Sequence, residues 1–337
     1  MSAPALPIIR QRGRWLEELP SHPLRWLLAP LWPLAAGAVA MRSTAYDRGW
    51  LAVRRAGMPV ISVGNLVAGG AGKTPVAITI AARLRALGRQ PAILARGYRA
   101  GADGRNEEAH LAGNVPVICD PDRVRGAARA RAEGADCAVL DDGFQHRRLH
   151  RDLDVVVLDA TRPFGADDGG DGALLPLGLR REGLAALSRA QLLWLTRAEL
   201  AGPAAVERLL ARLRRLALPV VRDRLLAVEV DRPAPGPWLL VSGIGHPRGF
   251  ELAAQRTGAI LAESWRFPDH HRYGAADAAA IAARARHLGA SVVATAKDAV
   301  KLAPLLPELR VLTMRTALAP EDQTVLDRLL AQAVASG

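Results

Sequence analysis

PVISVGNLVAGGAGKTPVAITIAARLRAL, residues 59–87, changes its pattern twice within one short stretch. Val60, Ile61 and Val63 form an apolar run that predicts a buried strand; three glycines, Gly69, Gly70 and Gly72, mark a loop with free dihedrals; residues 75–87 predict a helix. A strand, a glycine loop and a helix in this order make a phosphate cradle. Backbone N–H groups of Gly69, Gly70, Ala71 and Gly72 can turn around an anion, and the helix N-terminus adds partial positive charge. Lys73 adds a full charge, and the Thr74 hydroxyl is placed to ligate magnesium. The strict spacing G-x-x-x-x-G-K-S/T is not met, because its first glycine falls at Val67, so the loop is a variant.

Composition singles out Lys73. The chain has 45 Lys plus Arg, and only Lys73, Lys297 and Lys301 are lysine, leaving 42 arginines. Where positive charge is otherwise carried by planar guanidinium, a compact ammonium on a flexible stem is the better phosphate ligand. At 337 residues, half of them apolar, the chain is long enough for two globular domains. A net charge of +12 points to an anionic partner: nucleic acid, an acidic membrane surface or a phosphorylated substrate, although an arginine-rich proteome would produce the same excess. With 4% aromatic residues and no long basic run, the chain lacks the stacking platforms of a nucleic-acid binder, so no nucleic-acid partner is expected. Cys119 and Cys137 are too few for a disulfide framework and fit a reducing compartment.

Residues 1–50 read as an apolar and basic membrane-interface segment with no signal-peptide layout. The apolar run at 26–41 would reach roughly 24 Å as a helix, short of the roughly 30 Å hydrocarbon core, and it contains Pro30 and Pro33. Tryptophans at 15, 26, 32 and 50 beside arginines suit a helical segment lying in the interface; a hairpin packed on the protein's own core is the alternative. From 51 to 230 strand and helix alternate, which implies parallel strands and a nucleotide-binding domain. Strands are expected at 91–95, 115–119, 137–142, 154–159 and 191–196, and helices at 122–133 and 203–216. Asp141 and Asp142 close the strand that begins at Cys137, where a carboxylate can organise magnesium beside the loop. His146 and His150 stand four apart without a third ligand at zinc spacing. Residues 165–172 read as a glycine-rich loop. Residues 231–237, with three prolines, read as a linker, and 238–337 as a smaller α/β domain with a turn at Lys297 and Asp298.

Taken together the segments VGNLVAGGAGKTP, LARGY, DDGFQHRRLHRDLDVVVLDA, LRRE, SGIGHPRGF, FPDHH and TAKDAVK, in that order, resemble the tetraacyldisaccharide 4′-kinases, the lipid A 4′-kinases of Gram-negative bacteria. The resemblance implies an α/β fold: a P-loop kinase-like parallel sheet flanked by helices, with a second, smaller α/β domain. It implies ATP and Mg²⁺, and transfer of the γ-phosphoryl group to the 4′-hydroxyl of a lipid-linked glucosamine disaccharide 1-phosphate at the cytoplasmic face of the inner membrane. By position, Lys73 and Thr74 hold phosphates and metal, Asp141 and Asp142 complete the metal site with Glu108, and Gln145 lies close by. Arg96, Arg123 and Arg181 face phosphates. His270 matches the histidine that pairs with a catalytic acid, and domain closure is expected to bring it into play. The family's Gly-Asp-Glu motif is here Asn106-Glu107-Glu108; the register that puts Glu107 on the acid position is preferred to the one that puts Asn106 there. A partitioning-type ATPase switch is the main rival, since its loops are also rich in glycine; it would hydrolyse ATP without an acceptor lipid.

Overall fold

The structure, a computed structural model, describes residues 7–10, 23–97, 114–166, 170–245, 247–269 and 271–335. In chain order its strands and helices are β1 (Ile8–Arg10), α1 (Trp32–Asp47), β2 (Val60–Gly64), α2 (Lys73–Ala86), β3 (Pro91–Ala95), β4 (Val117–Cys119), α3 (Arg123–Ala132) and β5 (Cys137–Asp141). There follow β6 (Leu153–Asp159), β7 (Leu192–Thr196), α4 (Ala198–Ala201), α5 (Pro203–Leu213), β8 (Val220–Val230), β9 (Trp238–Ser242), α6 (Pro247–Arg256) and β10 (Leu261–Arg266). The chain closes with α7 (Ala275–Leu288), β11 (Ser291–Thr295), α8 (Ala296–Leu302), β12 (Arg310–Leu318) and α9 (Pro320–Ala335).

Two compact units result, one from Glu18–Arg224 with Leu318–Gly337 and one from Met1–Glu17 with Leu225–Ala317. In the first, the strand order is β8-β7-β6-β2-β5-β3-β4, and every registered pair is parallel. Strands covered on both faces read as nearly unbroken apolar runs, and the period of two divides them between two cores. Ile61, Val63, Val155, Val157 and Trp194 face the core shared with α2, while Val156, Leu158, Leu193 and Leu195 face the other side. Helix α2 buries Val76, Ala77, Ile80, Ala81 and Leu84 against the first of these cores.

In the second unit the order is β1-β10-β9-β11-β12, again with parallel pairs. Leu239, Val241 and Ala294 pack there with Ile281 of α7 and Leu302 of α8. A second α/β unit is therefore present.

The units do not follow the boundaries read from the sequence. Helix α9 belongs to the unit of the phosphate loop, because Leu326, Leu330 and Ala333, spaced by four and three, bury into the core of α2, and Arg83 forks onto Asp327 at 3.0 and 2.6 Å. Strand β8 continues through residues 225–230 as a single element, and the consecutive charges Arg222, Asp223 and Arg224 within it disguise it as a loop. Strand β1 was likewise unread. Lys297 and Asp298 lie in helix α8 rather than a turn, with the Thr295 hydroxyl capping its start by accepting from the Asp298 N–H.

The apolar run at 26–41 is divided between a 3₁₀ helix, Pro23–Leu31, and α1. Helix α1 buries none of its residues, and Leu34 and Met41 are 72% and 70% exposed. Among the described residues no helix is long and apolar enough to cross a membrane.

Candidate active site

Strands β2 and β5 are neighbours, with Val63 opposite Asp141, so the loop leaving β2 and the carboxylates closing β5 meet at one edge. This is the carboxyl end of a parallel sheet, where open α/β folds bind ligands. Gly64 allows the approach: a Cβ there would lie 2.6 Å from the backbone nitrogen of Phe144. Gly72 caps α2 with φ at +87°, a left-handed conformation that a side chain would strain. Helix α2 accordingly starts at Lys73, two residues before the expected Pro75.

Lys73 is largely buried, its side chain 12% exposed, with Nζ 3.6 Å from Asp142 Oδ1 and 3.5 Å from the Gly69 carbonyl oxygen to which it donates. Burial lowers its pKa despite the carboxylate beside it. The Thr74 hydroxyl donates to Asp141 Oδ2 at 2.7 Å. Asp142 sits at φ +56° and accepts from Arg181 Nη1 at 2.8 and 2.9 Å. Burial opposes its ionisation, and the Lys73 and Arg181 cations outweigh that cost, holding its carboxyl below the ordinary carboxylate value. Arg181 also reaches Gln145 Oε1 at 3.4 Å, and Gln145 Nε2 donates to the Asn65 carbonyl at 2.9 Å.

Arg181 arrives from far downstream through main-chain pairing with the loop. Its N–H donates to Leu66 O at 2.7 Å, Ala68 N–H donates to Leu179 O at 2.8 Å, and Val67 bridges Arg180 antiparallel. Thr196, at the end of β7, donates from Oγ1 to the Ala71 carbonyl at 3.1 Å and steadies the other side of the loop. Sequence reasoning passed over Thr196, Asn65 and the pairing of 179–181 with the loop; a threonine closing an otherwise apolar strand, LLWLT, was the only signal for the first.

Arg123 is 4% exposed and donates to the carbonyls of Asp120 at 2.6 Å and Asp141 at 3.4 Å, so it braces the main chain beneath the site. Arg96 is exposed at the carboxyl end of β3. Gly70 and Ala71 lie in the loop between β2 and α2, and Ala71 is buried. His146 is held neutral, its pKa lowered to about 4 by burial and by the Arg123 cation. His150 faces Asp152 at 3.4 Å, and no group of three or more His, Cys, Asp or Glu that could hold a metal occurs among the described residues. Cys137 is buried, its thiol pushed up to about 12 by desolvation. Glu107, Glu108 and His270 lie outside the described residues. Beside His270, His271 is committed structurally: its Nε2 is 3.0 Å from Asp277 Oδ2, and its ring packs on Phe267 and Tyr273.

A glycine loop leading into a helix that begins Lys-Thr, with a carboxylate on the adjacent parallel strand touching that threonine, is the arrangement of a P-loop protein. Residues 24–335 match the family model described as Tetraacyldisaccharide-1-P 4'-kinase, and the chain belongs to that family. Among curated relatives, the tetraacyldisaccharide 4'-kinase of Anaeromyxobacter dehalogenans strain 2CP-C is 41% identical over 88% of this chain and 85% of its own length. That of Methylorubrum extorquens is 36% identical over 96% of this chain and 99% of its own length. Among solved structures, the "apo" form of LpxK from Aquifex aeolicus in complex with ATP superposes with a TM-score of 0.69 at 26% identity, covering 92% of this chain and 99% of that one. By family the chain is a kinase.

Proposed function

We infer that the cluster at the β2 and β5 ends transfers the γ-phosphoryl group of ATP to the 4′-hydroxyl of a tetraacyl glucosamine disaccharide 1-phosphate, at the cytoplasmic face of the inner membrane. The observation that carries the reading is the convergence of Lys73, Thr74, Asp141 and Asp142 on one sheet edge. Thr74 Oγ1 and Asp141 Oδ2 are hard oxygen donors already side by side, a pair suited to Mg²⁺, which takes few protein ligands and keeps phosphate oxygens and waters. An ion held by Thr74 and Asp141 would supply charge neutralisation for the phosphate oxygens. Gly69 to Gly72 supply N–H donors, and Lys73 and Arg181 face the charge of the transferring group.

Glu107 carries the proposed role of orienting the acceptor hydroxyl, supported by His270, and Glu108 that of a further metal-facing oxygen. A loose phosphoryl-transfer transition state asks little of the base beyond alignment, so a glutamate serves if its oxygen reaches the place of an aspartate's. The exposed apolar stretch of the 3₁₀ helix and α1, with Trp26, Leu27, Leu34 and Met41 unburied, supports docking on a lipid surface.

Purified protein incubated with γ-³²P-labelled ATP, Mg²⁺ and the disaccharide 1-phosphate lipid in detergent is expected to yield a labelled bisphosphate lipid. ATP hydrolysis without labelled lipid would instead indicate an ATPase switch. Glu107→Gln is expected to cut turnover by about 10²–10⁴-fold with ATP affinity nearly unchanged; full activity would remove Glu107 from the mechanism.

A further inference from the structure

Helix α1 has two unlike parts. Leu34 and Met41 project into solvent, whereas the polar residues near its end are clasped by side chains from the loop after β5. Arg147, with its side chain only 13% exposed, donates from Nη1 to the Ser43 carbonyl at 3.0 Å and from Nη2 to Asp47 Oδ1 at 2.7 Å. The Tyr46 ring takes Arg147 at 5.1 Å and Arg42 at 5.3 Å, and Arg42 Nη2 donates to the Gln145 carbonyl at 3.0 Å. Gln145 is bonded in turn to Asn65 of the phosphate loop and to Arg181, and Arg181 to Asp142, the carboxylate beside Lys73. An unbroken run of contacts therefore joins α1 to the phosphate-loop lysine.

A membrane anchor alone needs an apolar face and exposed cations. It has no use for a largely buried arginine that grips the helix main chain from the loop carrying Asp142 and Gln145. Isolated exposed ion pairs contribute little, but Arg147 joins a carbonyl, a carboxylate and an aromatic face at once. We propose that Arg147 is a positioning residue for phosphoryl transfer: it seats α1 against the Gln145 loop and so holds Gln145 and Asp142 in place beside Lys73. Helix α1 is then a structural part of the phosphate site as well as a docking surface. The proposal rests on the assignment of the phosphate site above and is independent of the membrane assignment.

The full-length chain tests it through turnover in detergent, KM for ATP, thermal melting, and co-sedimentation with phosphatidylcholine–phosphatidylglycerol vesicles. Arg147→Ala is expected to lower kcat by about 10–100-fold, the effect of roughly 1 Å of misplacement, with vesicle binding and KM for ATP within about threefold of wild type. Tyr46→Ala is expected to follow it in the same direction, and Tyr46→Phe, which keeps the ring between the two guanidinium groups, to restore wild-type turnover. Wild-type kcat in Arg147→Ala and Tyr46→Ala overturns the proposal, as does a loss that merely tracks weaker vesicle binding. Should Arg147→Ala fail to fold, the contrast between the two Tyr46 variants decides. Lys73→Ala serves as the control: if it keeps full turnover, the phosphate-site assignment itself is lost. A wild-type chain that ignores vesicles removes only the membrane assignment.

Discussion

Asp142 and Asp298 both stand at the carboxyl end of a parallel sheet, one in each unit, and they are held in opposite ways. Asp142 lies between Lys73 and Arg181, and those cations keep it ionised against the cost of burial. Asp298, 0% exposed, accepts from Thr295 Oγ1 at 2.6 Å, from the Gly243 N–H at 3.0 Å and from the Tyr273 hydroxyl at 3.0 Å. These donors are neutral, and burial pushes its pKa up. The first edge concentrates ionised groups where a triphosphate and a metal would bring more charge. The second uses a carboxylate as a clamp, tying the loops after β9 and β10 to the start of α8. One architecture thus presents a chemical edge in one unit and a mechanical edge in the other.

Removing the central group from each edge should separate these roles. Lys73→Ala is expected to lower turnover by about 10³-fold, since it deletes the full charge proposed to face the transferring group, while the urea midpoint changes little. A modest loss of activity with a large loss of stability would reverse the comparison. Asp298→Ala leaves three buried donors without their acceptor. It is expected to cost about 3 kcal/mol in urea unfolding, with ATP affinity, read by titration calorimetry, within about threefold of wild type. Unchanged stability would show that the clamp is idle.

The smallest expected effect is a pair of opposite pH slopes. Asp142 is held below its ordinary value of 3.8, so its contribution to stability is present above that value and is lost as the pH falls. Asp298 is held above 3.8, so the folded state keeps a proton that the unfolded chain releases, and its contribution fades as the pH rises past that value. Over about pH 3 to 7, Asp142→Asn should flatten the acid limb of urea stability and Asp298→Asn should steepen it. Each change stays under about 1.4 kcal/mol per pH unit, the limit for one proton. Slopes that move in the same direction would contradict the assignment of opposite settings.

Much of the fold was legible because local pattern and final packing agree. The strand at 91–95 is read correctly to the residue, and those at 137–142, 154–159 and 191–196 to within one residue, because each holds an unbroken apolar run. Strand β8 escaped because Arg222, Arg224 and Glu229 interrupt its apolar residues, and charge on a strand is indistinguishable from loop polarity until its neighbours are known. At the candidate site, Lys73 and Thr74 stand out in the sequence by the glycine loop before them and Asp141 and Asp142 by their place at a strand end, each a contiguous pattern; only the pairing of β2 with β5 brings the two segments together across 67 positions. Thr196 and Arg147 could not be read there, since their contacts reach residues distant in the chain: 125 positions separate Thr196 from Ala71, and 104 separate Arg147 from Ser43.

The amino-acid sequence alone determined the family, and it singled out the glycine loop before Lys73 and the adjacent Asp141 and Asp142, because these are written in contiguous segments. Tertiary structure decided that α9 returns to the phosphate-loop unit, that residues 179–181 deliver Arg181 along the loop, and that α1 is clasped at Arg147. The physical reason is that burial and hydrogen bonding select partners by proximity in the folded chain, and proximity across a parallel sheet is set by crossover topology, which no local window of residues contains.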